Sequence, residues 1–301
     1  MSAKNRGDRI QQLHKVVTKH YTAVPPAEDR SVLEHLVYAC CLESATYEAA
    51  DEAFNRLREC SSSDWNDVRV TTITELREYL HNLPNPAVAA QHIKKNLQSL
   101  FETRYSFDID DMVKMNLGKA VQELENLGGV SKFVLGFVTQ NALGGHAIPV
   151  NQSIMNILLA TEIVNEAEAA KGQAPGLERT VPKTKGAAFA SCLHQFAIAV
   201  AQGSDPKLTN AVLKECGATA ARIDALDPKA SSPPPSKPAK KKVAPKKAAA
   251  KEDSPTAEAA SKPAAKPSSK KTAAKKPAAA KKATKEADSS ATTKSSKRKP
   301  R

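Results

Sequence analysis

The chain has 301 residues, with 45 Lys and Arg against 32 Asp and Glu and a formal net charge of +13 at pH 7. That charge is unevenly held: residues 227–301 carry 22 basic and 6 acidic side chains, which leaves 23 basic and 26 acidic for the first 226 residues. The division excludes a uniformly basic folded part, and no apolar run approaches the ~20 residues that a membrane span needs.

Taken in chain order, helix signals dominate. The opening Met-Ser-Ala-Lys-Asn-Arg-Gly-Asp is too polar to begin a secretory signal, which predicts an intracellular protein, of cytoplasm and nucleoid or of a nucleus. Ser31-Val-Leu-Glu34 reads as a capping box, followed by Val32, Leu33, Leu36, Val37, Cys40 and Cys41 on two adjacent helical rows. Val68-Arg-Val70 is the one hint of strand. Thr72-Ile-Thr-Glu75 is a second box leading into Leu76, Tyr79, Leu80 and Leu83, and Asn85-Pro86 and Asp205-Pro206 each place a cap before a proline. Further helices are expected over 46–60, 89–102, 116–127, 131–143, 152–166 and 186–202. The fold class is all-α, with a body over 1–226. The five cysteines (40, 41, 60, 192 and 216) are an odd count and read as small apolar residues in a reducing compartment.

Leu127-Gly128-Gly129-Val130-Ser131 closes one predicted helix and opens the next. Glycine at a helix end supplies a left-handed conformation, and Ser131 caps a helix whose first amides have no internal partner. Such a turn favours phosphate, and Lys132 adds a charge beside it. The expected contacts, through Gly129, Val130, Ser131 and Lys132, would position duplex DNA by its backbone without reading sequence.

Two segments carry a wider resemblance. Leu127-Gly128-Gly129-Val130-Ser131-Lys132-Phe133 resembles the Leu-Pro-Gly-Val-Gly-Arg-Lys hairpin of the endonuclease III-like branch of the helix-hairpin-helix (HhH-GPD) DNA glycosylase superfamily. Ile148-Pro149-Val150-Asn151-Gln152-Ser153-Ile154 resembles that branch's Ile-Ala-Val-Asp-Thr-His-Ile, at the same interval of 18 residues. Leu33 to Arg58 also reads without gaps against the family's early helix pair, with Ala45-Thr46 at its tip. The resemblance spans about 8–200. It implies a two-lobed helical fold: a barrel lobe over 30–143 ending in the hairpin 127–133, and a second lobe from 8–29 with 144–226. It implies too that DNA and an everted base lie between the lobes, where a lysine amine attacks the sugar and an aspartate stabilises the developing charge.

The sequence departs from that pattern where the chemistry sits. Phe133 stands at the lysine position and Asn151 at the aspartate position, and Ser44 replaces a glutamine that fills the gap left by the base. The four-cysteine iron–sulfur loop is absent, so no metal or cofactor is expected. Lys132 and His146 are the possible substitutes for the missing catalytic groups.

The stretch 227–301 is built from Lys, Ala, Pro and Ser, with Val243 as its one large aliphatic side chain. It cannot bury enough apolar surface to offset chain entropy, which predicts disorder. In composition it resembles linker-histone termini, and its clusters, among them Lys240, Lys241, Lys242, Lys246, Lys247, Lys270 and Lys271, are expected to bind DNA phosphates non-specifically. Three functions stay open: a DNA-binding protein on a catalytically degenerate glycosylase scaffold, an active base-excision repair glycosylase or abasic-site lyase using other groups, and a helical interaction module.

Overall fold

The computed structural model describes residues 3–226 apart from 26, 28 and 63. The expectations for 227–301, including every tail lysine named above, lie outside the described residues. Among the described residues all regular structure is helical. The helices are α1 (Ala3–His20), α2 (Val32–Leu42), α3 (Tyr47–Cys60), α4 (Trp65–Val70), α5 (Ile73–Tyr79) and α6 (Pro86–Arg104). After a 3-10 turn at Asp110–Lys114 come α7 (Leu117–Glu125), α8 (Lys132–Asn141), α9 (Gln152–Ala160), α10 (Glu166–Ala170) and α11 (Leu177–Thr180). The last three are α12 (Lys183–Gln202), α13 (Pro206–Glu215) and α14 (Ala220–Asp224). No described helix is long and apolar enough to cross a membrane.

The caps decide where helices start. At α2 the Ser31 hydroxyl accepts from the Glu34 amide and the Glu34 carboxylate accepts from the Ser31 amide, and Thr72 and Glu75 do the same at α5. Asn85 makes no side-chain cap, and α6 starts on Pro86 alone. The strand hint at Val68-Arg-Val70 is overturned: these residues finish α4, because Asp64 caps its first turn and the buried Val68 anchors it. The helix expected over 152–166 stops at Ala160, where Glu162 takes a positive φ of 54° and breaks the spiral.

Two apolar cores form. One gathers α2 to α8 around Leu33, Leu36, Phe54, Leu57, Ile93, Leu97, Leu124 and Val134. The other joins α1 to the later helices through Ile10, Leu13, Val17, Ile154, Leu158, Phe189, Leu193 and Phe196. Each buried Leu or Phe stabilises by about 1.5–3 kcal/mol relative to exposure. Four of the cysteines are buried as expected of small apolar residues, and burial pushes the Cys41 thiol up to about 12. Cys60, at the end of α3, is exposed instead.

Candidate functional site

The hairpin between α7 and α8 is built by packing against α6. A Cβ on Gly129 would lie 2.4 Å from the His92 carbonyl oxygen and 2.7 Å from Asn96 Oδ1, so only glycine fits there. Neither Gly128 nor Gly129 adopts a positive φ, which corrects the expectation of a left-handed turn: close approach, not backbone handedness, requires the second glycine. Gly128 is exposed, with open space where a side chain would stand. Ser131 caps α8 by accepting from the Val134 amide at 3.1 Å. Among the described residues, the amides of Gly128, Gly129 and Ser131 make no hydrogen bond within the protein. Val130 donates to the Leu127 carbonyl at 3.4 Å. The Lys132 ammonium donates to the carbonyls of Lys171 and Gly172 at 2.6 and 3.2 Å, tying the end of α10 to the start of α8.

One residue further on, Phe133 turns inward. It is buried, stacked on Phe137 with ring centroids 6.2 Å apart, and tilted against the His194 ring at 5.4 Å. Asn151 caps α9, its Oδ1 accepting from the Ile154 amide at 2.8 Å. Its amide group donates to the Glu43 carbonyl at 2.6 Å and reaches His194 Nδ1 at 3.5 Å. His194 Nε2 donates in turn to the Ala45 carbonyl at 2.9 Å. The tautomer follows from the partners: a carbonyl only accepts, so Nε2 carries the proton and Nδ1 accepts from Asn151. Burial holds the His194 imidazole neutral, pushing its pKa down to about 4. Asn151 and His194 thus hold the loop between α2 and α3 by its Glu43 and Ala45 carbonyls, with Phe133 packed against the His194 ring.

Beside this cluster lies a cavity of about 260 Å³ between the two cores. Its walls include the rings of His35, Tyr38, Tyr47, Phe133, Phe137 and His194. At one side the Arg30 guanidinium lies 3.7 Å from the Tyr38 ring centroid and donates to Asp51 Oδ1 at 2.8 Å. Burial raises the Tyr38 and Tyr47 hydroxyls and lowers the His35 imidazole. None of His35, Arg30, Asp51, Tyr38 or His194 stood out in the sequence. His194 gives one faint signal, a polar ring set among Phe189, Leu193 and Phe196 on the buried side of α12.

His146 takes no part in the cavity. Its Nε2 lies 2.7 Å from the Glu178 carbonyl and 3.0 Å from that of Val181, so it fastens the 144–149 loop to the α11 segment. Cys192 and Cys216 are buried free thiols, and among the described residues no group of three or more His, Cys, Asp or Glu is placed to hold a metal ion.

No protein-family model matches the chain, and no curated protein matches it. Among solved structures it is similar to a trapped endonuclease III–DNA covalent intermediate, an estranged-adenine complex, with 16% identity and a TM-score of 0.48 over 65% of this chain and 86% of that chain. It is similar also to a thermostable thymine-DNA glycosylase, with 17% identity and a TM-score of 0.47 over 74% of this chain and 95% of that chain.

Proposed function

We propose that the chain is a duplex-DNA-binding protein on the two-lobed, endonuclease III-like helix-hairpin-helix scaffold, without that scaffold's lysine and aspartate chemistry. The observation that carries this reading is the meeting of Phe133 and Asn151 in one buried cluster beside the inter-core cavity. Phe133 has no nucleophile. Asn151 uses both ends of its amide in structural hydrogen bonds and has no carboxylate to offer. The two apolar cores are read as the two lobes. The unpartnered amides of Gly128, Gly129 and Ser131, with the remaining protons of Lys132, are read as the phosphate grip, and the 227–301 tail as a second, non-specific one.

The test is duplex binding by the full chain, followed by fluorescence anisotropy at several salt concentrations. Gly128→Asp sets a carboxylate at an exposed position with room for it, so folding is unchanged while affinity falls about tenfold. Wild-type affinity in that variant would remove the hairpin from the interface. A second reading, an active glycosylase or abasic-site lyase with other groups, has one observation in favour: Asp51, about half exposed, lines the same cavity. His146 and Lys132 are the weaker substitutes, since backbone carbonyls occupy both.

A further inference from the structure

The open face of α6 collects features that neither core nor the hairpin accounts for. Lys94, Lys95, Gln98 and Glu102 of α6 line a groove of about 740 Å³ together with Arg69 and Val70 of α4 and Ile73 of α5. Most arginines of the body, among them Arg6, Arg9, Arg30 and Arg104, meet a carboxylate. Arg69 meets none among the described residues. Its guanidinium donates to the neutral side-chain oxygens of Asn66 and Gln98 at 2.9 to 3.1 Å. Lys94 Nζ donates to the Arg69 and Thr71 carbonyls at 2.7 and 2.6 Å, and Lys95 is exposed. Neutral acceptors orient a cation without cancelling its charge. Glu102 is the one carboxylate in the lining, and Gln98 Nε2 already donates to it at 2.6 Å.

Rings continue the same face. The Arg69 guanidinium lies 4.2 Å from the Phe101 ring centroid, and Phe101 meets the edge of Tyr105 with centroids 6.1 Å apart. Tyr105 is 79% exposed and takes a left-handed conformation with φ of 52°. Folding favours glycine at such a position, so the ring is held out at a cost that its burial does not offset. Val70 and Ile73 are exposed as well. A polyanion answers the cations, and the exposed ring calls for a flat, apolar partner. A strand with unpaired bases supplies both, phosphates for the charges and a base face for the ring. A duplex turns its base faces inward, so the ring favours a single strand. From Lys94 to Tyr105 the face runs about 16 Å, room for a short run of nucleotides.

We propose that the α6 face from Lys94 to Tyr105 binds single-stranded nucleic acid, with Arg69, Lys94 and Lys95 on its phosphates and Tyr105 under one of its bases. This is a second site, beyond the duplex grip read at the hairpin and independent of it.

The probe is oligothymidylate of about twelve nucleotides, titrated into the full chain by fluorescence anisotropy at about 0.3 M salt, where phosphate contacts of the basic tail are weakened. Tyr105→Gly suits the positive φ, so stability holds while affinity is expected to fall about fivefold or more, and Tyr105→Phe restores it. Lys95→Gln is expected to make the slope of log K against log salt shallower by about 0.7. The same oligonucleotide carrying 5-iodouracil, irradiated on the protein, reports contact directly, and the crosslink is expected at Tyr105. Residues 227–301 hold no Phe, Tyr or Trp that could compete for it. Wild-type affinity in Tyr105→Gly overturns the proposal, as do crosslinks that all fall outside this face. Equal losses on duplex and single strand overturn it too, and would make the face a duplex-backbone surface. Gly128→Asp is measured alongside on duplex. Duplex affinity unchanged by Gly128→Asp removes the hairpin reading and leaves this one standing. Single-strand affinity unchanged by Tyr105→Gly does the reverse.

Discussion

At position 151 an aspartate would keep only one of the contacts that the asparagine makes. Its carboxylate could still cap α9, since aspartate caps as well as asparagine. It has no hydrogen to give to the Glu43 carbonyl or to His194 Nδ1, so it would set a buried negative charge against two acceptors. Asn151→Asp is therefore expected to lower stability by about 3 kcal/mol at pH 7, read as a shift in the urea midpoint at constant slope. His194 makes a second prediction at this scale. Its folded pKa of about 4 lies below the ordinary 6.5, so the unfolded chain binds its proton more readily. The stabilising effect of neutral His194 is complete above pH 6.5 and is lost as the pH falls towards 4, up to about 3 kcal/mol. His14 and His35 are shifted the same way, chiefly by burial, and add to the same acid limb. Urea titrations from pH 7 to 4 measure the slope, and His194→Gln, which keeps a donor for the Ala45 carbonyl, is expected to make it shallower. An unchanged slope would contradict the buried, neutral assignment.

Elements whose caps and apolar rows coincide were readable from residues alone. Ser31-Val-Leu-Glu34 and Thr72-Ile-Thr-Glu75 open α2 and α5 because both halves of each box are local in sequence. Val68 and Val70 misled because β-branched residues at alternate positions also fit a short capped turn of helix, and the Asp64 cap outweighs their strand preference. Phe133 and Asn151 were singled out by motif and spacing. Their partners were not, since His194 meets Asn151 only once α12 packs on α9, and Arg30, His35 and Asp51 meet only when α2 and α3 pair. The hairpin shows the same limit: its glycines are evident, but the reason for Gly129 lies on α6, 33 residues earlier at Asn96. Gly129→Ala drives a methyl into the His92 carbonyl, and a loss of about 1–3 kcal/mol is expected in thermal or urea unfolding. Gly128→Ala, with open space around it, is expected to cost less than about 0.5 kcal/mol.

For the whole molecule, the division of charge would separate two kinds of grip on the proposed reading. The near-neutral body would then make a few fixed contacts at the hairpin, whereas 22 basic side chains sit in residues 227–301. If eight of the tail lysines engage phosphates, the dependence of log K on log salt carries a slope of about −7 from the tail alone. Removing 227–301 is expected to take away that much of the slope, leaving a weaker binding that still responds to Gly128→Asp. An unchanged slope would assign the electrostatic grip to the body instead. On the proposed reading, Phe133 and Asn151 leave a site that would hold DNA without breaking the bond between base and sugar. The direct measurement is base release by the full chain on labelled duplexes with oxidised, alkylated, deaminated, mismatched and abasic sites, followed by hot alkali to cut wherever a base is lost. Salt-sensitive binding with cleavage no greater than in a protein-free control is the predicted result; cleavage above that control at any of these sites would contradict it.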